Sequence, residues 1–317
     1  MTLGEFDLIE RFFSRPSRRR DVLLGVGDDA ALLEPPSGQA IVAATDTLVE
    51  GRHFLAGAPP ESIGHQALAV NLSDFAAMGA EPAWALLSLS LPEARESWLE
   101  RFAAGLHGVA AQHGVDLVGG DTVRGPLVVT IALLGFVEPA LALRRSGAKP
   151  GDKVYVSGWP GEAAAGLAAL QHAATVVADD RLVSRYQYAQ PRIALGRALR
   201  GRATAAMDVS DGLLGDLGKL CKASGVGARI DLERLPVSSE LAARHAPEAC
   251  ERFVLHGGDD YELLFTLPAA GAPGLEAELS RTCALTRIGE IEAGGVVRCL
   301  RGGAPAGVTG GGYDHFA

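Results

Sequence analysis

The chain has 317 residues, 48% of them hydrophobic, and 29 basic against 38 acidic side chains give a net charge of −9. That acidity argues against nucleic acid or an anionic membrane as the main partner, because nothing would replace the counterions condensed on a polyanion. No stretch approaches the ~20 apolar residues of a membrane span, so neither bilayer nor nucleic acid is an expected partner.

The N-terminal "MTLGEFDLIERFF" lacks a basic-then-apolar leader pattern. Cys221, Cys250, Cys283 and Cys299 form no CxxC pair and have no zinc spacing. Reduced thiols and a cytoplasmic setting are expected. The one basic cluster, "SRPSRRRD" (14–21), reads as a solvated loop, with phosphate steering as the alternative.

Next, "DVLLGVG" and "QAIVAATD" read as strands ended by a glycine or an acid. Residues 60–80 read as a helix that Pro60 opens and Gly79 closes, with an apolar stripe through Ile63, Leu68, Leu72 and Phe75. "PAWALLSLSLP" is a strand, "ARESWLERFAAGLHGVAAQHG" a helix, "VDLVGGD" a short strand and "PLVVTIALLGFV" another. A Gly/Pro turn in "RRSGAKPGD" marks a boundary near residue 149, dividing the chain into domains 1–148 and 149–317. Beyond it follow strand "KVYVSG", helix "WPGEAAAGLAALQ", strand "ATAAMDVSD" and helix "GLLGDLGKLCKAS". Strands "ARIDL" and "YELLFTLP", a helix around 272–281 and strands near 285–300 complete a mixed α/β pattern. No fixed-period repeat is visible.

The acids recur in one setting. Asp28 and Asp29 follow "LLGVG", Asp46 follows "AIVAAT", Asp121 follows "DLVGG", and Asp208 and Asp211 follow "ATAAM". Asp74 lies inside the 60–80 helix. Ligands of open α/β folds gather where strands end, so such acids can converge from distant parts of the chain. Each alone is equally well a helix cap or a turn residue. Taken together they suit Mg²⁺, which takes oxygen ligands shared between carboxylates and phosphates. Adjacent acids such as Asp28 and Asp29 are tolerable where divalent cations bind, and those cations would draw in phosphorylated substrates. No GxxxxGK[ST] loop is present, and the paired glycines of "LVGGDTVRG" are weak evidence alone. "HGGDDYELLF" is similar to the GG-acid-acid-aromatic hairpin of diguanylate cyclases, but that reading leaves the first-half acids without a role.

The motifs "GVGDDAALL", "TDTLVEGRHF", "ALAVNLSDFAAMGAEPAW", "GGDTVRGPL", "RSGAKPGD", "MDVSDGLLGDL", "GGDDYELLF" and "GYDHF" run nearly end to end. Their order and content resemble the thiamine-monophosphate kinase family, in the superfamily typified by aminoimidazole ribonucleotide synthetase. The resemblance implies a two-domain α/β (α+β) fold, its N-terminal mixed sheet pairing across a homodimer and its C-terminal half a separate α/β domain. It implies ATP-dependent phosphorylation of thiamine monophosphate to thiamine diphosphate with several Mg²⁺ ions.

By the same resemblance the metal residues are Asp29, Thr45, Asp46, Asp74, Asp121, Asp208 and Asp211, and Ala44 could offer only its carbonyl. Asp46, Asp121 and Asp211 form the catalytic group. ATP falls to Gly120, Asp121, Arg145 and Ser210, and thiamine monophosphate to His53, Asp259 and Tyr313. Asp28 is expected as a supporting or capping acid. Asp259 stands where the family has glutamate, one methylene shorter, which calls for a bridging water. Tyr313 follows three glycines. Other readings are a different ATP-using enzyme of the superfamily, or a non-catalytic nucleotide or thiamine-phosphate sensor. Selenophosphate synthesis relies on an N-terminal cysteine or selenocysteine, and the first cysteine here is Cys221; a sensor should have lost acids, and none is missing.

Overall fold

A computed structural model describes residues 4–172, 180–270 and 272–308. The chain divides into two compact units, Met1–Phe75 with Ala80–Ala140, and Ala76–Gly79 with Leu141–Ala317.

In the first unit a short helix α1 (Glu5–Leu8) runs into a wider turn, Ile9–Phe13. A two-stranded ribbon follows, β1 (Val22–Leu24) with β2 (Leu32–Leu33). Then come β3 (Ala40–Val49), α2 (Pro60–Ala77), β4 (Glu81–Leu91), α3 (Glu96–His113), β5 (Asp116–Arg124) and β6 (Val128–Val137). The four long strands form one sheet in the order β3-β6-β4-β5. Only β4 and β5 are parallel, as a helical crossover through α3 requires.

Alternation decides which side chains meet the helices. Leu48, Ile131, Leu87 and Leu89 are buried on one face, and α2 buries Leu68, Leu72 and Phe75 completely. On the other face Ile41, Ala43, Thr45 and Thr47 of β3 are exposed. The ribbon covers one end of it, where Trp84, Phe136 and Val118 pack with Val22, Ala31 and Leu33. The remainder leaves Ile41, Leu86 and Val123 open, with Leu23, Leu24 and Leu32 exposed on the ribbon. The sequence pattern does not reveal this apolar face, because the residues come from five separate strands.

The basic run 14–21 is not simply solvated. Asp116 accepts the Ser17 hydroxyl at 2.5 Å and the amides of Arg18 and Arg19 at 2.9 and 3.0 Å. Arg19 forks onto Asp21 at 2.9 and 2.6 Å and lies over the Trp84 and Phe136 rings. Those contacts leave Arg15, Arg18 and Arg20 as the exposed members.

In the second unit β7 (Lys153–Ser157) leads into α4 (Glu162–His172), α5 (Arg181–Gln187) and α6 (Ile193–Leu199). Then follow β8 (Ala205–Val209), α7 (Leu213–Ser224), β9 (Gly227–Asp231), α8 (Ser239–Arg244) and α9 (Pro247–His256). The last elements are β10 (Glu262–Leu267), α10 (Ala272–Leu279), β11 (Leu285–Glu292), β12 (Val297–Arg301) and β13 (Ala304–Pro305). Seven strands form a mixed sheet ordered β13-β12-β9-β11-β7-β10-β8, with only β12 and β9 parallel. Val154, Val156, Leu213, Leu217, Ile230 and Leu264 anchor its core. Asp180 caps α5 through the amides of Leu182 and Val183, and Ser238 caps α8 through Leu241. All four cysteines are free, three of them buried. Among the described residues no helix is long and apolar enough to cross a membrane.

Candidate active site

Two segments of the first unit supply most of the lining of an open cavity of about 830 Å³: the loop after β1 and the glycine-bearing middle of β5. Asp28, Asp29, Gly119, Gly120, Asp121 and Thr122 supply its polar wall. Ile9, Phe13 and Leu117 supply an apolar one. Asp28 accepts the amide of Asp29 at 2.8 Å, a local contact within the loop. Oxygen donors beside bare backbone at Gly119–Gly120 are the chemistry that holds phosphates and hard cations.

The expectation that the acids terminate strands needs correcting. Asp46 lies inside β3, Asp121 inside β5 and Asp208 inside β8. Pairing with β6, β4 and β10 carries each strand past its acid. Asp46 stands opposite Ile131 of β6, which stands opposite Leu87 of β4 and then Gly120 of β5. The next row runs Thr47, Thr130, Ser88, Asp121. Asp46 and Asp121 are therefore three strand spacings apart, about 14 Å, and alternation places them on opposite faces. Burial raises the Asp46 carboxyl above its ordinary value. Thr45 donates to the Ile131 carbonyl at 3.1 Å, Ala44 precedes it on β3, and Asp74 is half-buried near the end of α2. The Nδ1 of His53 accepts the Val49 amide at 3.0 Å, so its Nε2 is the ring's donor.

The second unit brings Ser210, Asp211 and Asp259 together at the end of β8. The Asp259 amide donates to the Ser210 carbonyl at 2.9 Å. Behind them Asp216, wholly buried at the start of α7, accepts the amides of Ser210 and Asp211, each at 3.0 Å. Lys219 donates to Asp216 at 2.8 Å and also contacts the Asp211 carboxylate. Sequence reasoning missed Asp216 and Lys219. Their i,i+3 spacing in "GDLGK" shows a pair on one helix face but not that the face meets the end of β8. Asp216→Ala should destabilise the fold by about 3 kcal/mol, since two amides and an ammonium lose a buried acceptor. Urea unfolding checks this, and an unmoved midpoint would contradict it. Asp208 is buried in β8, Arg145 is exposed with its carbonyl accepting Ser224 Oγ at 3.1 Å, and Tyr313 lies outside the described residues. Among the described residues no three Asp, Glu, His or Cys side chains lie close enough to hold one metal ion.

Comparison with known proteins adds to this geometry. Residues 27–137 match the AIR synthase related protein N-terminal domain, and residues 149–300 the corresponding C-terminal domain. The chain is 49% identical over 324 residues to the thiamine-monophosphate kinase of Escherichia coli strain K12, covering 100% of this chain and 99% of that protein. It superposes on the crystal structure of thiamine-monophosphate kinase from Stenotrophomonas maltophilia K279a with a TM-score of 0.85 and 45% identity, over 91% of this chain and 93% of that one. A further solved structure, "AaThiL complexed with AMPPCP and TMP", matches with a TM-score of 0.78 and 34% identity, covering 89% of each chain.

Proposed function

The chain belongs to the thiamine-monophosphate kinase family of AIR synthase related proteins, and from that premise we propose that it transfers the γ-phosphoryl group of ATP to thiamine monophosphate in the cytoplasm. The observation that carries this reading is the cavity on which Asp28, Asp29 and Asp121 meet the Gly119–Gly120 backbone. A relative solved with AMPPCP and TMP supports the choice of substrates.

An oxygen of the thiamine monophosphate phosphate forms a bond to the γ-phosphorus while the bond to the β–γ bridging oxygen breaks, and ADP leaves with that electron pair. The second pKa of a phosphate monoester is ~6, so the attacking oxygen is already largely anionic at neutral pH. No general base is required. What the reaction needs from the chain is in-line placement of two polyanions. The donor set of Asp29, Asp46, Asp74, Asp121, Asp208 and Asp211, with Thr45 and the Ala44 carbonyl, consists of hard oxygen atoms and fits Mg²⁺. Held by those residues, Mg²⁺ would supply positive charge to neutralise the phosphate oxygens and the transferring group. Gly120, Asp121, Arg145 and Ser210 hold the nucleotide, while His53, Asp259 and Tyr313 receive the thiamine end.

The register of the first unit bears on the homodimer. One sheet cannot bring Asp46 and Asp121 to a single ion, since about 14 Å and the sheet itself separate them. Their strands β3 and β5 are the two sheet edges. We infer that edge-to-edge closure of two copies over the apolar face of Ile41, Leu86 and Val123 would shorten that separation to one strand spacing, with Asp46 of one copy and Asp121 of the other still on opposite faces and so serving separate ions of one site.

Incubation with ATP, Mg²⁺ and thiamine monophosphate should yield thiamine diphosphate and ADP in equal amounts. Binding without turnover would instead indicate a sensor. Burial pushes Asp259 up to about 6, opposed by the Tyr261 hydroxyl 3.2 Å away and reinforced by Asp211. The carboxylate that faces the cationic thiazolium is therefore lost as pH falls through that value. KM for thiamine monophosphate should rise below pH ~6 more steeply than in Asp259→Asn, which keeps only the titration of the substrate phosphate. Parallel profiles would remove Asp259 from the site.

A further inference from the structure

The segment after α9 carries a buried ion network that the reaction does not call for. Glu262, wholly buried at the start of β10, accepts Arg192 Nε at 2.6 Å and Nη2 at 2.5 Å. It also accepts Arg185 Nη2 at 2.8 Å and Ser157 Oγ at 2.5 Å, and Ser157 Oγ in turn accepts the Leu263 amide at 2.8 Å. Gly158 leaves room for this carboxylate: at its φ of +58° a Cβ would fall 2.0 Å from Glu262 Oε1. Two residues earlier Asp260, also buried, accepts the amides of Gly161 at 2.7 Å and Ala163 at 3.3 Å at the start of α4.

Between and before these anchors stand Asp259 and Tyr261. They are the chain's two non-glycine residues of positive φ among those described, at 62° and 52°. Each such conformation is strained for a residue with a side chain and persists only where the surroundings over-determine it. Here the amides of Asp259 and Tyr261 are tied to the carbonyls of Ser210 and Val209, both at 2.9 Å. The chain thus alternates. Residues 260 and 262 are anchored in the interior, while 259 and 261 are held beside Ser210, with the Tyr261 hydroxyl donating to Asp259. Burial alone would push Glu262 up, and the Arg192 fork, Arg185 and Ser157 overcome it, leaving an ionised carboxylate. Desolvating that carboxylate and two guanidiniums is poor economy for stability alone, since apolar side chains of equal volume serve as well.

We propose that Glu262, gripped by Arg192 and Arg185 and seconded by Asp260, is a positioning device that fixes Asp259 and Tyr261 in their left-handed conformations and thereby sets affinity for the thiamine end of the substrate. The proposal rests on the assignment of Asp259 to that substrate.

Arg192→Lys keeps the charge and removes the two-pronged geometry. It should raise KM for thiamine monophosphate by about tenfold while KM for ATP and kcat stay within about twofold. In an Asp259→Ala background the same substitution should change that KM by less than about twofold, because the positioned group is gone. An equal rise in both backgrounds, or a parallel rise in both KM values, would overturn the proposal. Hydrogen exchange decides independently of activity. Arg192→Lys and Glu262→Gln should lose amide protection over residues 257–263 ahead of the rest of the second unit. Protection lost uniformly, or not at all, would overturn the positioning role even if the wild-type protein proved to act on another phosphate acceptor. Inactivity of the wild-type chain toward thiamine monophosphate would overturn only the functional reading.

Discussion

Asp46→Asn should lower kcat by ~10³-fold or more, whereas His53→Asn should act mainly on KM for thiamine monophosphate, by about tenfold. The asymmetry follows from what each side chain supplies. Asp46 is one of the carboxylates proposed to hold Mg²⁺. Losing a metal-held charge removes several kcal/mol of transition-state stabilisation, and each 1.36 kcal/mol is a factor of ten. An amide keeps the size but not the charge, and the carboxyl it replaces is partly buried on β3. His53 accepts the Val49 amide through Nδ1 and is a neutral side chain with no carboxylate to give a metal ion. Its loss weakens binding without altering the charge on the transferring group. Equal, mild losses from both substitutions would contradict the assignment. If the site closes between copies, inactive Asp46→Asn and Asp121→Asn proteins, mixed and reassociated, should regain about a quarter of wild-type activity: half the dimers are mixed and each holds one intact site.

Gly120→Ala should disrupt the first unit outright, with about 3 kcal/mol or more of stability lost and nucleotide binding abolished in whatever folds. Gly120 has φ +148°, and an added Cβ would fall 1.8 Å from the Leu87 carbonyl oxygen on the neighbouring strand. Neither backbone can yield without breaking the β4–β5 register that presents Asp121. The same bare backbone forms part of the cavity wall. Wild-type unfolding midpoint and ATP-analogue affinity would show that the site does not need a glycine there.

The helix α2 is legible in the sequence because Pro60 and Gly79 bracket a long apolar segment. Its burial on nearly all sides is a tertiary fact that the sequence pattern does not carry. The strands β3, β4 and β6 are legible from runs of Val, Ile, Leu and Ala, yet their ends are not. Asp46 and Asp121 interrupt the apolar pattern, and only the hydrogen bonds of adjacent strands carry β3 and β5 beyond them. The helices α5, α6, α8 and α9 have seven, seven, six and ten residues, too short for periodicity to separate them from loops. Within the site, the acids stand out as residue types in recurring settings. Asp216, Arg185 and Arg192 do not, because their meaning lies in which distant backbone or carboxylate they reach. At Ser210 and Arg145 spacing alone leaves the role open, and only the family resemblance implies one.

We propose that carboxylates scattered along the sequence share divalent ions that grip ATP and thiamine monophosphate end to end. A crystal structure of the full chain with a non-hydrolysable ATP analogue, thiamine monophosphate and Mn²⁺ tests it through the anomalous signal of the metal. Metal peaks are expected beside the phosphates and the carboxylates of Asp29, Asp46, Asp74, Asp121, Asp208 and Asp211, with Asp46 and Asp121 drawn from different copies. Both ligands bound with no metal peak beside those carboxylates, or with the acids turned to bulk water, would contradict it.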